Sequence, residues 1–337
     1  MHRFIAGTCQ MHLTITPQGP WMVRGEEDTE RKLWMPLKNP TGQIVLPASS
    51  LKGVLRSTAE RILRTVDTNT DPKRIPLADD PFVHKDADYR QYERATIADS
   101  ELAEWNETHN RYTQEQLAPE RIYRVLSAAS QMFGCTLHAG LVTLDDATMP
   151  ARRLSPRTHV AIDRFTGGVG EGPFNEQLVV EQSPLTTHLT ITNFALWQIG
   201  LLALVFQEIN RGYVGIGAGT RKGQGQMKIA VPVITFTYNA QAYKDSQKGI
   251  ISAQAALKQW LPEMVHDVPE EISAMQAGSE DNTVLLEAID PQTSQDWREQ
   301  GMKVLLVQEE QVPALFQEAV QHAWGPWVQQ MMKQEVQ

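Results

Sequence analysis

The segment Ile44-Val-Leu-Pro-Ala-Ser-Ser-Leu-Lys-Gly-Val-Leu-Arg56 constrains the fold of this chain more than any other. An apolar run stops at Pro47, two serines follow, and apolar residues then recur at Leu51, Val54, Leu55, Ala59, Ile62 and Leu63. That spacing predicts a short strand over 43–46, a turn, and an amphipathic helix to about Val66 with Ser49 or Ser50 as its N-cap. Lys52 would then lie in the first helical turn, where a cation opposes the helix dipole. A bound anion would relieve the conflict.

A second candidate anion site is distant in sequence: Gly215-Ile-Gly-Ala-Gly-Thr-Arg-Lys-Gly-Gln-Gly225. Its glycines permit close backbone approach to a ligand. Arg221 can fork onto a phosphate, while Lys222 acts as a point charge. The spacing is not that of a P-loop. The dinucleotide fingerprint fails too, because a strand rather than a helix is expected next. Two cationic turns of this kind suit a phosphodiester chain held without reading its bases.

Composition first argues against such a partner, since the net charge is −9. The charge is unevenly spread. Residues 239–337 hold 15 acidic and 6 basic side chains, so residues 1–238 are balanced. Local basic clusters there include Lys52, Arg56, Arg61 and Arg64, and Arg152, Arg153, Arg157 and Arg164. No long apolar run or basic-apolar leader is present, so neither a membrane partner nor export is expected. Two cysteines make no disulfide framework, and a cytoplasmic chain with reduced thiols is the expectation. The nine histidines show no metal-ligand spacing. Glu26, Glu27, Asp28 and Glu30 could hold a divalent cation.

Along the chain, strands are expected over 2–16, 43–46, 141–144, 185–191 and 226–236, with helices over 50–66, 120–132 and 196–209. Residues 17–32 read as a long polar loop and 68–119 as a charged insertion. Residues 157–180, with Gly167, Gly168, Gly170 and Gly172, suit a protruding hairpin. The order predicts an α+β, ferredoxin-like split βαβ core over 1–237 with long insertions. Residues 238–337 read as a small acidic α+β extension, with a helix near 253–265, strands near 284–289 and 304–307, and a last helix near 313–332.

Several of these segments resemble known ones. Pro47-Ala-Ser-Ser-Leu-Lys-Gly-Val-Leu-Arg56 resembles a motif of RAMP-superfamily CRISPR proteins. Phe133-Gly134 before Asp145-Asp-Ala147, then Ile162-Asp-Arg-Phe-Thr-Gly-Gly168, and the loop from Gly217 to Gly225 are similar to theirs and follow in the same order. The best subgroup is the backbone subunit of type III effector complexes. The resemblance implies a modified RNA-recognition fold, with copies or paralogues stacked along a guide crRNA beside other effector subunits. It implies that Ser49, Ser50, Lys52, Arg56, Thr220, Arg221 and Lys222 hold the guide. The hairpin would be a thumb that wedges between nucleotides, with Arg157, Arg164 and Phe165 on the RNA. Base pairing would then select the target RNA.

Nuclease-competent relatives cut target RNA with an aspartate and a divalent cation (Mg or Mn). Counting back from Gly42, its place falls near Lys32 or Leu33, where no acid stands; Asp28 is the nearest aspartate. Cysteine ligands are absent from the insertion, so no zinc is expected. A non-cleaving or end-capping subunit, and a small-molecule nucleotide enzyme built on the glycine-rich loop, are the alternatives.

Overall fold

The computed structural model describes residues 5–30, 32–68, 75–79, 126–135, 138–150, 153–239, 249–253, 255–256, 292–297 and 302–333. Its elements in chain order begin with β1 (Gly7–Pro17), β2 (Arg24–Asp28), β3 (Leu33–Pro36), β4 (Ile44–Leu46), α1 (Ala48–Val66) and α2 (Ala128–Phe133). There follow β5 (Val142–Leu144), β6 (Ala147–Met149), β7 (Leu154–Ile162), β8 (Val169–Val179), β9 (Leu185–Thr192) and α3 (Leu196–Asn210). The chain continues through β10 (Met227–Asn239), β11 (Gln292–Trp297), β12 (Met302–Gln308), α4 (Val312–Glu318) and α5 (Gly325–Lys333).

Residue alternation explains the central strand. Cys9, Met11, Leu13 and Ile15 on β1 are buried, while Thr8, Gln10, His12 and Thr14 take the other face. This is the two-residue period of a strand with one face on a core. β1 pairs antiparallel with β10 on one side and β9 on the other, and β5 pairs with β9 beyond. The spatial order β10-β1-β9-β5, crossed by α1 and α3, is that of a ferredoxin-like domain.

Both helices follow from their patterns. α1 buries Leu51, Leu55, Ala59 and Leu63 along one stripe. α3 is apolar on nearly every side and is buried on nearly every side. Together with the sheet they enclose a single hydrophobic cluster.

Two local expectations change. Pro47, not a serine, occupies the N-cap, and no side chain caps the helix. Ser49 and Ser50 lie within the first turn, while the Ala48 N–H donates to Asp146 Oδ1 at 2.7 Å. Residues 17–32 are not simply a loop. Trp21 and Met22 are fully buried, and β2 and β3 form a hairpin that joins β8 and β7 in a second sheet, ordered β2-β3-β8-β7. A polar exposed strand such as β2, with its acids facing solvent, carries no hydrophobic alternation by which it could be recognised.

The C-terminal residues continue the main sheet. β12 pairs antiparallel with β10, and β11 with β12. α4, a π-helical turn (Ala319–Trp324) and α5 lie against α3, where Trp327 stacks on Trp197 at 4.1 Å and 6°. A Cβ on Gly200 would come within 2.7 Å of the Ala319 carbonyl oxygen, so glycine lets α3 and the π turn touch. Most of the insertion 68–119 and of the helix expected near 253–265, and all of the strand expected near 284–289, lie outside the described residues. So does the first part of the helix expected over 120–132. No helix among the described residues is long and apolar enough to cross a membrane.

Candidate nucleic-acid interface

Strand register gathers the long excursions at one end of the main sheet. Pro17 pairs with Met227, and Ile15 with Leu185. The 18–36 segment therefore leaves where the glycine-rich loop enters and where the thumb hairpin returns. The segment before α1 is tied to the same place: Leu37 N–H donates to Val23 O at 2.8 Å, and Val45 N–H to Leu37 O at 3.0 Å.

The glycine-rich loop is seated on the 20–23 segment. Ala218 N–H donates to Met22 O at 2.7 Å, and Gly225 N–H to Pro20 O at 2.9 Å. Gly217 and Gly219 take positive φ (97° and 70°). A Cβ on the first would meet Met22 O and on the second Gln224 Oε1, so both close approaches require glycine. Thr220–Lys222 form one 3₁₀ turn between left-handed glycines, Gly219 and Gly223. Thr220 is half-buried, and Arg221 and Lys222 are exposed. Arg221 makes no hydrogen bond or ion pair among the described residues.

The thumb consists of β7 and β8. At its tip Asp163 Oδ1 accepts from the backbone N–H groups of Phe165 and Thr166, each at 2.8 Å. The Thr166 and Phe165 amides, in that order, hold this carboxyl below the usual aspartate range. The turn thrusts Phe165 outward, 100% exposed. Val160, Ile162, Val169 and Phe174 on the same hairpin are exposed as well, a concentration of apolar surface that ordinary solvated hairpins avoid. Arg157 and Arg164 are also solvent-facing.

The cations at the start of α1 are engaged within the chain. Lys52 Nζ donates to Val142 O at 2.8 Å, joining α1 to β5. Burial, and then the Arg56 charge, lower its ammonium below the usual lysine range. Arg56 Nη1 donates to Gly134 O at 2.7 Å and its Nε to Glu60 Oε1 at 2.7 Å. The Lys-Gly-x-x-Arg run and the Phe133-Gly134 turn are thus two halves of one contact. Ser49 is exposed and Ser50 half-buried at the first turn.

Asp28 ends β2, half-buried and opposite Leu33, while Glu26, Glu27 and Glu30 are exposed. Among the described residues no three His, Cys, Asp or Glu side chains converge on a point that could hold a metal ion. The ligands present do not make a cation cage around Asp28, and no metal-dependent step is derived for it.

Sequence reasoning missed a polar cluster along the thumb strands, centred on a buried carboxylate. It comprises Arg24, His159, Glu176 and Gln224, with Glu176 only 1% exposed. One signal for it was available: Glu176 stands two residues before buried Leu178, so an acid occupies an inward strand position.

A ferredoxin-like sheet that presents a cationic glycine-rich loop and an apolar-tipped hairpin at one end has the parts by which RNA-binding proteins engage phosphates and bases. The family model described as the RAMP superfamily matches residues 14–228, more than half of the chain. This chain belongs to the RAMP superfamily of CRISPR-associated RNA-binding proteins. The match begins within β1 and ends at the start of β10, and so takes in α1, the thumb strands, α3 and the glycine-rich loop. No curated protein matches the chain.

Proposed function

We propose that the chain is a backbone subunit of a type III CRISPR effector complex, which grips guide crRNA by its sugar-phosphate chain and presents it to complementary target RNA. One observation carries this reading: Arg221, without a hydrogen bond or ion pair among the described residues, and the fully exposed Phe165 rise from the same end of the sheet. A free cation beside an apolar wedge can hold phosphate and part stacked bases without reading them. Lys222, Thr220, Arg164 and Arg157 extend the cationic surface, and the Ser49–Ser50 amides at the start of α1 add donors that helix geometry leaves unbonded. The partners on this reading are guide crRNA, target RNA, other effector subunits and copies of the chain, assembled in the cytoplasm.

Target cleavage is the finer part of the proposal, with Asp28 as its acid, and a divalent cation (Mg or Mn) is required only if the chain is cleavage-competent. A non-cleaving subunit is the second reading, favoured by the lack of gathered ligands around Asp28 among the described residues. A mononucleotide enzyme is disfavoured, because the glycine-rich loop runs into strand β10 and no helix N-terminus faces a pyrophosphate.

The deciding experiment is purification of the full chain with its co-expressed partners, followed by extraction of bound nucleic acid. The expected result is RNA of defined length with absorbance near 260 nm. Nucleic-acid-free protein that instead binds a mononucleotide saturably would overturn the proposal.

A further inference from the structure

Glu176 is the meeting point of segments that are far apart in sequence. Arg24 Nη2 donates to its Oε1 at 2.7 Å. His159 Nε2 lies 3.2 Å from its Oε2 and 3.5 Å from Gln224 Nε2. Behind Arg24, the Trp34 ring centroid lies 5.4 Å from the guanidinium carbon. Each neighbour belongs to a different part of the interface. Arg24 opens the hairpin that ends in Asp28, His159 and Glu176 come from the two thumb strands, and Gln224 closes the glycine-rich loop.

Main-chain pairing between these parts is thin. The β3–β8 contact has only Leu33↔Asn175 and Trp34↔Glu176 in register, and Trp21 bridges Val179 as an isolated pair. A hairpin attached through so few rungs can pivot unless side chains fix its angle. Gln224 is wholly buried and Glu176 nearly so, and a buried carboxylate persists only where donors from its surroundings satisfy it. Here Arg24 of the hairpin donates to one oxygen, His159 of the thumb faces the other, and Gln224 of the loop lies against His159, so the cluster closes only when the three parts sit in one arrangement.

We propose that Glu176 is a positioning residue that locks the thumb, the glycine-rich loop and the Asp28 hairpin into one rigid unit. The spacing between the wedge at Phe165 and the cation at Arg221 is then set by the protein before RNA arrives. The lock is a property of the free chain; its use in spacing RNA contacts rests on the RNA-binding reading above.

The test measures the lock without RNA. Spin labels on Phe165→Cys and Arg221→Cys, in a Cys135→Ser background, report the distance from thumb tip to loop in the full chain. One narrow distance distribution is expected. Glu176→Gln should broaden it at least about twofold, and Gln224→Met, which releases only the loop, should do the same if the first variant fails to fold. An unchanged narrow distribution in the variants that fold would overturn the proposal.

A second arm uses unlabelled protein and single-stranded RNA. Glu176→Gln should weaken binding about tenfold while the log–log salt slope stays constant, because no phosphate contact is lost. A slope flattened by about 0.7, the amount for one contact to a single strand, would mean that Glu176 serves only to hold a phosphate-binding cation and would overturn the role in spacing. Parent protein that binds no RNA would sink the proposed function, while the distance measurement would still decide the lock.

Discussion

Asp28 stands directly across the β2–β3 ladder from Leu33. Counting along the sequence puts the expected acid near Lys32 or Leu33, and the hairpin brings Asp28 to that level from the facing strand. Lys32, at φ 47°, makes the turn that allows it. Asp28→Ala in the assembled complex should leave guide binding intact and slow target-RNA cleavage about 100-fold or more, the scale of losing a group that acts in the reaction. Cleavage at the parental rate would remove Asp28 from the mechanism.

Cations close in the sequence pattern should part company in solution. Arg221→Ala should flatten the salt dependence of RNA binding by about 0.7 in log–log slope and leave the thermal midpoint unchanged. Arg56→Gln should do the reverse, because its guanidinium holds Gly134 O and Glu60. Loss of such charge-assisted bonds costs about 1.5–3 kcal/mol of stability, read by urea unfolding.

Phe165 has no packing to lose. Its replacement by alanine should leave unfolding unaltered and weaken single-stranded RNA binding by about 1–3 kcal/mol, the worth of one base–aromatic stack. Equal affinities for the two proteins would mean that the tip does not enter the RNA.

Acid should act on stability through carboxyls of opposite sign. Burial pushes the Glu176 carboxyl up, but the Arg24 hydrogen bond, the Lys222 and Arg24 charges and Gln224 outweigh it, leaving it below the ordinary 4.5. Its contribution is present above 4.5 and is lost as pH falls through its lower folded value. Asp79 is the reverse: burial raises it above the ordinary 3.8, against the Ser130 and Ser127 hydrogen bonds. The native state therefore binds its proton more readily and gains relative stability as pH falls through that raised value. Urea midpoints from neutral pH downward should show Glu176→Gln removing an acid-side loss and Asp79→Asn removing an acid-side gain.

The C-terminal helices should prove integral to the core. Trp327→Ala removes the stack on Trp197 and should cost about 3–5 kcal/mol. Gly200→Ala pushes a methyl group at the Ala319 backbone and should cost about 1–3 kcal/mol. Calorimetry that finds either variant as stable as the parent would detach this segment from the cooperative unit.

The parts of the fold that could be read from sequence were those with local causes. β1, α1, α3 and β9 each carry a buried stripe at their own period, and the thumb shows as glycines around Asp163. What stayed hidden depends on distant partners. Nothing near Lys52 or Arg56 reveals that Val142 and Gly134, 90 and 78 residues away, supply their acceptors. Arg24 and Glu176 are separated by 152 residues, and β2 is too polar to announce itself. The partner of the Ala48 N–H at the start of α1 was hidden in the same way, since Asp146 comes from the β5–β6 connection 98 residues away.

The pairing of β1 with β10 has a consequence for biosynthesis. The first strand cannot complete its ladder until Met227–Asn239 has been made, and Gln224 precedes that strand by only a few residues. Contacts of such long sequence separation form late, after the entropy of closing the intervening chain has been overcome. A nascent chain therefore exposes its thumb and its arginines long before they can be aligned. On the RNA-binding reading proposed above, competence to grip would arrive only with the closing strand.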